Sequence, residues 1–481
     1  MDGKYKSYSE YNPSGIDWLA EIPKHWDTSK LRYLFDFGKG LSITKEHLQD
    51  EGVPCVSYGE IHSKYGFEVD PLKNPLKCVD TKYLESSPNA LLKFGDMVFA
   101  DTSEDIDGSG NFTQLIGDTP TFAGYHTIIA RPYDRESNRF FAYLFDSQEF
   151  RTQIRHAVKG VKVFSITQAI LRGLGVWLPS HQERTNIANF LDHETAKIDT
   201  LIEEQKTLIR LLQEKRQAVI SHAVTKGLNP DVLLKDSGVE WLGQVPGHWD
   251  IPKLQYVTRR IGDGLHATPQ YEDNTGFYFV NGNNLVNGRI FIGSSAKEVP
   301  ETEYRKHYIE LDDNSVLLSI NGTVGNVALY SGERIILGKS AAYINCRKTV
   351  KPNYLMLYLQ TSHLKRYFDL EVTGTTIFNL SLNSIRQMKV CMPPDKEQVE
   401  ITAYCQAQNE KYRNLIGEAN KQIELMQERR TALISAAVTG KIDVRDWVVP
   451  AHPCAHDIAA SLHGTPDAPQ KEQSPKAVQT P

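Results

Sequence analysis

Two stretches of the chain repeat apolar residues every three or four positions, the period of a helix with one buried face. The first runs from Gln182 to about Ala223 without Pro or Gly, and sets Ile187, Leu191, Ile198, Leu201/Ile202, Leu208/Ile209, Leu212 and Val219 on one stripe. The second runs from about Lys396 to Ala437 and repeats the pattern with Ile401, Leu415/Ile416, Ile423, Met426 and Leu433. About 40 residues at 1.5 Å each make a rod of roughly 60 Å. A lone helix of that length leaves its stripe in water, so the pattern predicts that the two pair, with Ile202, Ile209, Ile416 and Ile423 at the contact. Gln205, Lys215 and Gln422 fall on the expected seam, where polar residues fix register and interrupt a uniform coiled coil.

Elsewhere short apolar runs alternate with turn signals, as strands do. Met97–Ala100, Thr127–Ala130, Val316–Ile320 and Ala342–Asn345 read as strands, and Phe94-Gly-Asp, Asp107-Gly-Ser-Gly, Asn281-Gly and Asn321-Gly as turns. One helix is expected after each set, at about Arg139–Ala157 and Asn353–Leu370. The two middles are therefore α+β modules.

The chain is also written twice. Ser14–Leu34, SGIDWLAEIPKHWDTSKLRYL, matches Ser237–Val257, SGVEWLGQVPGHWDIPKLQYV, at an offset of 223. Leu211–Thr225, LLQEKRQAVISHAVT, matches Leu425–Thr439, LMQERRTALISAAVT, at an offset of 214, which also pairs Gly160–Thr167 with Gly374–Ser381, Pro179 with Pro393 and Glu183 with Glu397. The first half thus holds 223 less 214, or nine, extra residues in its middle. The ends agree, whereas the middles, about 40–135 and 260–350, do not. Duplication for stability explains the shared ends but gives no reason for the middles to diverge. Trp18, Trp26, Trp241 and Trp249 in the openings are expected to be core anchors.

Composition narrows the chemistry. With 54 Lys and Arg against 59 Asp and Glu, the net charge of -5 excludes a generic basic coat for nucleic acid. No run of about 18 apolar residues would span a membrane. Met1–Tyr11 has no apolar signal-peptide core, and six Cys without a C-x-x-C read as reduced cytoplasmic thiols. There is no P-loop, no glycine-rich dinucleotide or S-adenosylmethionine loop, no H-E-x-x-H and no G-x-S-x-G. His25 and His248 read as capping or packing residues, and Asp101, Glu104, Asp105 and Asp107 as a solvated loop more readily than a metal site.

Local basic stretches remain. No acid occurs from Arg151 to Gln182, where Arg151, Arg155, Lys159, Lys162 and Arg172 supply positive charge. The second half offers Lys365, Arg366, Arg386 and Lys389 in register. Phosphates are met by Arg, Lys and hydroxyls, and base edges by Arg, Asn and Gln. On loop position and polarity, the candidate DNA-contacting residues are Lys45, Tyr58, Lys159 and Lys162 in the first module. In the second they are Arg259, Arg260, Gln270, Tyr271, Asn283, Asn321 and Lys339.

The openings Trp18-Leu-Ala-Glu-Ile-Pro-Lys-His-Trp26 and Trp241-Leu-Gly-Gln-Val-Pro-Gly-His-Trp249 resemble those of the specificity (S) subunits of Type I restriction-modification systems. So do Leu178–Arg184 and Met392–Gln398 before the long helices, and the stretches Phe94-Gly-Asp-Met-Val and Leu311-Asp-Asp-Asn-Ser-Val. The likeness covers about residues 5–445. It implies two tandem α/β target recognition domains joined by two long antiparallel helices, a pseudo-twofold internal repeat of α+β class. The implied division is 1–180 for the first recognition domain, 181–232 for the central helix and linker, 233–394 for the second recognition domain, 395–443 for the distal helix and 444–481 for a disordered tail. It further implies that each recognition domain reads one half of a bipartite, asymmetric site in double-stranded DNA. The helices would set the gap and dock two methyltransferase (M) subunits, with restriction/motor (R) subunits joining them in the cytoplasm. S-adenosylmethionine, ATP and magnesium would serve those partners, and this chain would carry no catalysis, metal or cofactor. Two rival expectations are a helical protein-assembly scaffold with protein-binding modules, and an enzyme acting alone through the Asp101–Asp107 cluster.

Overall fold

The computed structural model describes residues 5–158, 163–293, 295–374 and 378–448. They form two compact units, one built from the described residues up to Ile202 and from Leu425 onward, the other from those within 203–424. The division cuts through both long helices.

The first unit contains a mixed sheet of β1 (Phe35–Lys39), β3 (Glu68–Val69), β4 (Met97–Ala100), β5 (Phe112–Leu115) and β7 (Thr127–Pro132), in the order β1-β7-β4-β5-β3. A second sheet centres on β2 (Val53–Val56) beside β6 (Thr121–Ala123), which pair in parallel. β4, β5 and β6 are buried along their whole length, and β4 (Met-Val-Phe-Ala) reads as a continuous apolar run rather than an alternating one. Helices α1 (Asn138–Asp146) and α2 (Gln148–Ala157) follow. The single helix expected there is broken at Ser147, whose side chain accepts from the Phe150 amide and caps α2. Then comes α3 (His181–Lys226).

In the second unit β8 (Thr258–Asp263), β10 (Gly288–Ile290), β11 (Ser315–Ser319), β12 (Val327–Leu329) and β14 (Ala341–Cys346) are ordered β8-β14-β11-β12-β10. β9 (Tyr278–Val280) and β13 (Ile335–Leu337) pair in parallel in the smaller sheet. Those five strands repeat the order and direction of the first unit, including the parallel contacts β3 with β5 and β10 with β12, and Leu285–Val286 adds a sixth strand beside β10. The middles, unlike in sequence, share one core topology. Helices α4 (Pro352–Leu359) and α5 (Ser362–Glu371) again replace the one helix expected, with Thr361 capping α5 through the Leu364 amide. Then comes α6 (Asp395–Val438).

The duplicated openings clamp the long helices. In the first unit, Glu183 at the start of α3 accepts from His25 Nε2 at 2.8 Å, Tyr8 OH at 3.2 Å, Trp26 Nε1 at 3.4 Å and Ser180 Oγ at 3.0 Å. Burial pushes the Glu183 carboxyl pKa up, but hydrogen bonds from His25, Ser180 and Trp26 outweigh it and hold the group below its ordinary value. The far end of α6 lands on the same opening: Trp177 Nε1 donates to the Val438 carbonyl, and Gly440 lies against Pro23 and Trp26. In the second unit, Glu397 at the start of α6 binds His248 Nε2 at 2.7 Å and Trp249 Nε1 at 2.9 Å. There the end of α3 lands, with Gly227 against Trp249 and the Val224 carbonyl accepting from Tyr354 OH at 3.0 Å. Each opening therefore holds the start of one long helix and the end of the other, so the two run antiparallel.

Trp26 and Trp249 are buried anchors, but Trp18 is 55% exposed. It sits in a turn at φ +76° and stacks on His156 at 4.0 Å instead of entering the core. Trp241 is half-buried against Tyr367. On the helices Ile202 is buried and Ile209, Ile416 and Ile423 are half-buried. Lys215 and Gln422 are exposed and so lie off the seam, whereas Gln205 is half-buried. Of the expected tail, 444–448 packs onto the first unit: Val444 is buried and Trp447 meets Phe190 edge-on at 5.5 Å. Residues 449–481 lie outside the described residues. Cys55, Cys78, Cys346, Cys391 and Cys405 are free and buried.

Candidate nucleic-acid interface

In each module the loops gather at one end of the larger sheet, on a backbone frame that is the same in both. Leu41 N donates to Ala123 O at 2.9 Å, as Leu265 N does to Leu337 O at 2.7 Å. Asp101 N donates to His126 O at 3.0 Å, as Ile320 N does to Ser340 O at 2.9 Å. Ile166 N reaches Asp101 O and Leu380 N reaches Ile320 O, both at 2.8 Å. The close approach demands glycine: a Cβ on Gly40 would stand 2.1 Å from the Gly124 carbonyl, and one on Gly264 2.1 Å from that of Leu337. Ser57 with Glu60, and Asn281 with Asn284, form capping boxes that start the next turn of each frame.

The side chains on these frames differ. In the first module Tyr58 packs edge-on against Tyr125 at 5.5 Å and His126 at 5.4 Å. His126 Nδ1 meets Asp101 at 3.1 Å, and His62 bridges the Thr102 carbonyl at 2.8 Å and Asn111 at 3.0 Å. Lys45 is exposed on the short helix Lys45–His47 that follows Leu41. Lys159 and Lys162 lie outside the described residues. In the second module Asn321 Nδ2 donates to the Lys339 carbonyl at 3.2 Å. Exposed Asn283 joins them through Gly282 N and Asn281 Oδ1, which both bind Ser340 Oγ, at 2.9 and 3.0 Å. The structure therefore brings Asn283, Asn321 and Lys339 to one loop end.

Other candidates are elsewhere. Arg259 lies at the opposite end of β8, where it binds Asp312 at 2.6 Å and the Cys346 carbonyl at 3.0 Å. Burial pushes the Asp312 pKa up, but Arg259 and the Asn314 amide pull it below its ordinary value. Arg260 stands over the Tyr343 ring at 5.5 Å. Tyr271 carries Lys297 over its face at 4.7 Å, next to exposed Gln270.

Much of the basic run serves the fold. Arg151 pairs with Asp146 at 3.0 Å, Arg155 with the Asp107 carbonyl at 3.3 Å, and Arg172 covers Phe37. Arg386 and Lys389 donate to the carbonyls of Ile261 and Ile251. Sequence reasoning missed His62, Asn111, Tyr125, His126 and Ser340, which reach the loop ends only through strand pairing. Among the described residues, no three His, Cys, Asp or Glu side chains converge as metal ligands.

Two modules of one core topology, each ending in amides, hydroxyls, imidazoles or Lys and each packed on segments of the two long helices, define a class: a duplicated α+β module with polar loop ends. The Type I restriction modification DNA specificity domain matches residues 258–425. A chain assigned as the MjaX type I restriction enzyme specificity subunit of Methanocaldococcus jannaschii is 22% identical over 435 residues, 89% of this chain and 96% of that one. The StySPI specificity subunit of Salmonella potsdam is 22% identical over 404 residues, covering 79% and 81%. A chain from a structural study of complex assembly and conformational transition in the type I R-M system has a TM-score of 0.63 at 15% identity, over 88% of this chain and 99% of that one. Residues 258–425 thus match the DNA specificity domain, and over most of its length the chain is similar to specificity subunits of type I restriction enzymes. Among the described residues no helix is long and apolar enough to cross a membrane.

Proposed function

We propose that this chain is the non-catalytic DNA reader of its complex, each module taking one half of a bipartite, asymmetric site. One observation carries the reading: the two loop ends share their backbone frame but present different side chains, Tyr58 and His126 on one, Asn321 and Lys339 on the other. A common frame with exchanged polar side chains suits two different base sequences. The helix pair sets the gap and docks two methyltransferase subunits, and exposed Leu201, Leu208 and Leu211 on α3 with Leu415 and Leu425 on α6 supply apolar surface for them. S-adenosylmethionine, ATP and magnesium belong to those subunits and to the restriction/motor subunits, in the cytoplasm. The test is methylation mapping of the host genome with the intact gene and with residues 35–175 exchanged for another module. A change in one half-site alone supports the reading; a change in both, or in neither, overturns it. Sequence-blind, salt-insensitive behaviour of the complex would favour the assembly scaffold instead.

A further inference from the structure

The seat of the first module on the helix pair holds a network of two arginines and four carboxylates, whereas the second has an ion pair of Lys351 with Asp395 at 2.9 Å. Arg139 of α1 reaches Glu68 of β3 at 2.7 Å and Asp192 of α3 at 2.7 Å. Tyr143 OH donates to the same Asp192 oxygen at 2.7 Å. Arg430 of α6 binds Asp199 of α3 at 3.0 Å and approaches Asp146 at the end of α1 at 3.6 Å. Phe67 has Arg139 at 4.9 Å and Arg430 at 5.7 Å from its ring centre. The two guanidinium groups thus tie the module, α3 and α6 together at one place. At the repeat's offset of 214, Arg139 becomes Asn353, Asp192 becomes Gln406 and Asp199 becomes Arg413. Where the network would stand, that seat has neutral contacts, Gln217 Nε2 to the Gln360 carbonyl at 2.7 Å and Ser221 beside Ser362 at 3.5 Å. The repeat is its own control: the scaffold folds around a module without the network, so the network answers a need particular to the first.

We infer that Arg139, with Asp192 and Arg430, positions the first module on the helix pair and so restricts the gap between half-sites that the complex accepts. The inference rests on the bipartite reading above. A planar guanidinium held by carboxylates on two elements fixes an angle as well as a contact, which a neutral pair does less well. A change of tilt at the seat is carried to the loop end, because β4 and β7 between them are tightly packed. Arg139 and its partners touch no DNA in this scheme; they act as positioning residues.

The test uses the assembled methyltransferase complex and duplexes carrying its mapped site, with the gap native, one base pair shorter or one longer. Arg139→Ala and Asp192→Asn are expected to lower the preference for the native gap about fivefold or more, with base preferences inside each half-site unchanged. Arg139→Lys keeps the charge without the fork and should fall between. Asn353→Ala and Gln406→Ala should leave the preference as it is. Raising salt from about 0.05 to 0.3 M should erode the gap preference of the unaltered complex, since the network is partly exposed; this arm needs no variant to fold. Variants that retain the full gap preference, or that lose affinity equally at every gap, overturn the inference alone, as does a preference indifferent to salt. A wild-type complex with no bipartite site overturns the reading of the function and this inference with it.

Discussion

His25 Nε2 lies 2.8 Å from Glu183 Oε1, and the repeat sets His248 Nε2 2.7 Å from Glu397 Oε1. The two clamps differ in burial: the Glu183 side chain is 7% exposed and that of Glu397 34%. Replacing Glu183 with Ala leaves the buried Trp26 and Tyr8 donors unpaired, a loss of about 1–3 kcal/mol. Glu397→Ala is expected to cost less, because Glu397 is itself a third exposed and accepts from His248 and Trp249 alone, whereas Glu183 also holds Tyr8 and Ser180. Thermal unfolding of the two variants beside the wild type checks the order.

The same carboxylate sets an acid limit. Its folded pKa is depressed, so its contribution to stability is fully present above the unfolded value of 4.5 and is lost as pH falls through the lower folded value. Between pH 7 and 5 the effect should be flat. Below about pH 4.5 wild-type stability should fall more steeply than that of Glu183→Gln. Equal slopes in urea unfolding across that range would contradict the assignment.

The end of α6 depends on a single glycine. Gly440 has φ +75°, and a Cβ there would stand 2.4 Å from the Pro23 ring. Gly227 has φ +79° but a nearest contact of 3.3 Å, to Trp249. Gly440→Ala therefore adds overpacking of about 1–3 kcal/mol to backbone strain, whereas Gly227→Ala adds chiefly strain. A larger loss of Tm for Gly440→Ala is the expected result.

Lys339 and Arg259 separate reading from support. Lys339→Ala should weaken DNA binding of the complex about equally across sequences and lower the salt slope by about 1. Arg259→Ala breaks an exposed pair with Asp312 at the other end of β8 and should cost about 1 kcal/mol of stability or less. Its salt slope should match the wild type. Anisotropy titrations at several salt concentrations distinguish the two.

The sequence by itself determined what repeats locally. The apolar period wrote both long helices to within a few residues, and the paired P-x-H-W and Glu183/Glu397 positions already contained the clamp, because its two sides are duplicated in the chain. Tertiary structure decided what depends on strand order. The middles share a topology their sequences hide, since a buried strand asks only for apolar side chains and many sequences comply. It also decided which polar residues meet. Asn321 and Lys339 lie 18 positions apart yet share a hydrogen bond, while Arg259, close in sequence to the same loops, points to the far end. A strand advances about 3.3 Å per residue, so five or six residues along β8 carry a side chain from one end of the sheet to the other, and only pairing fixes which end that is.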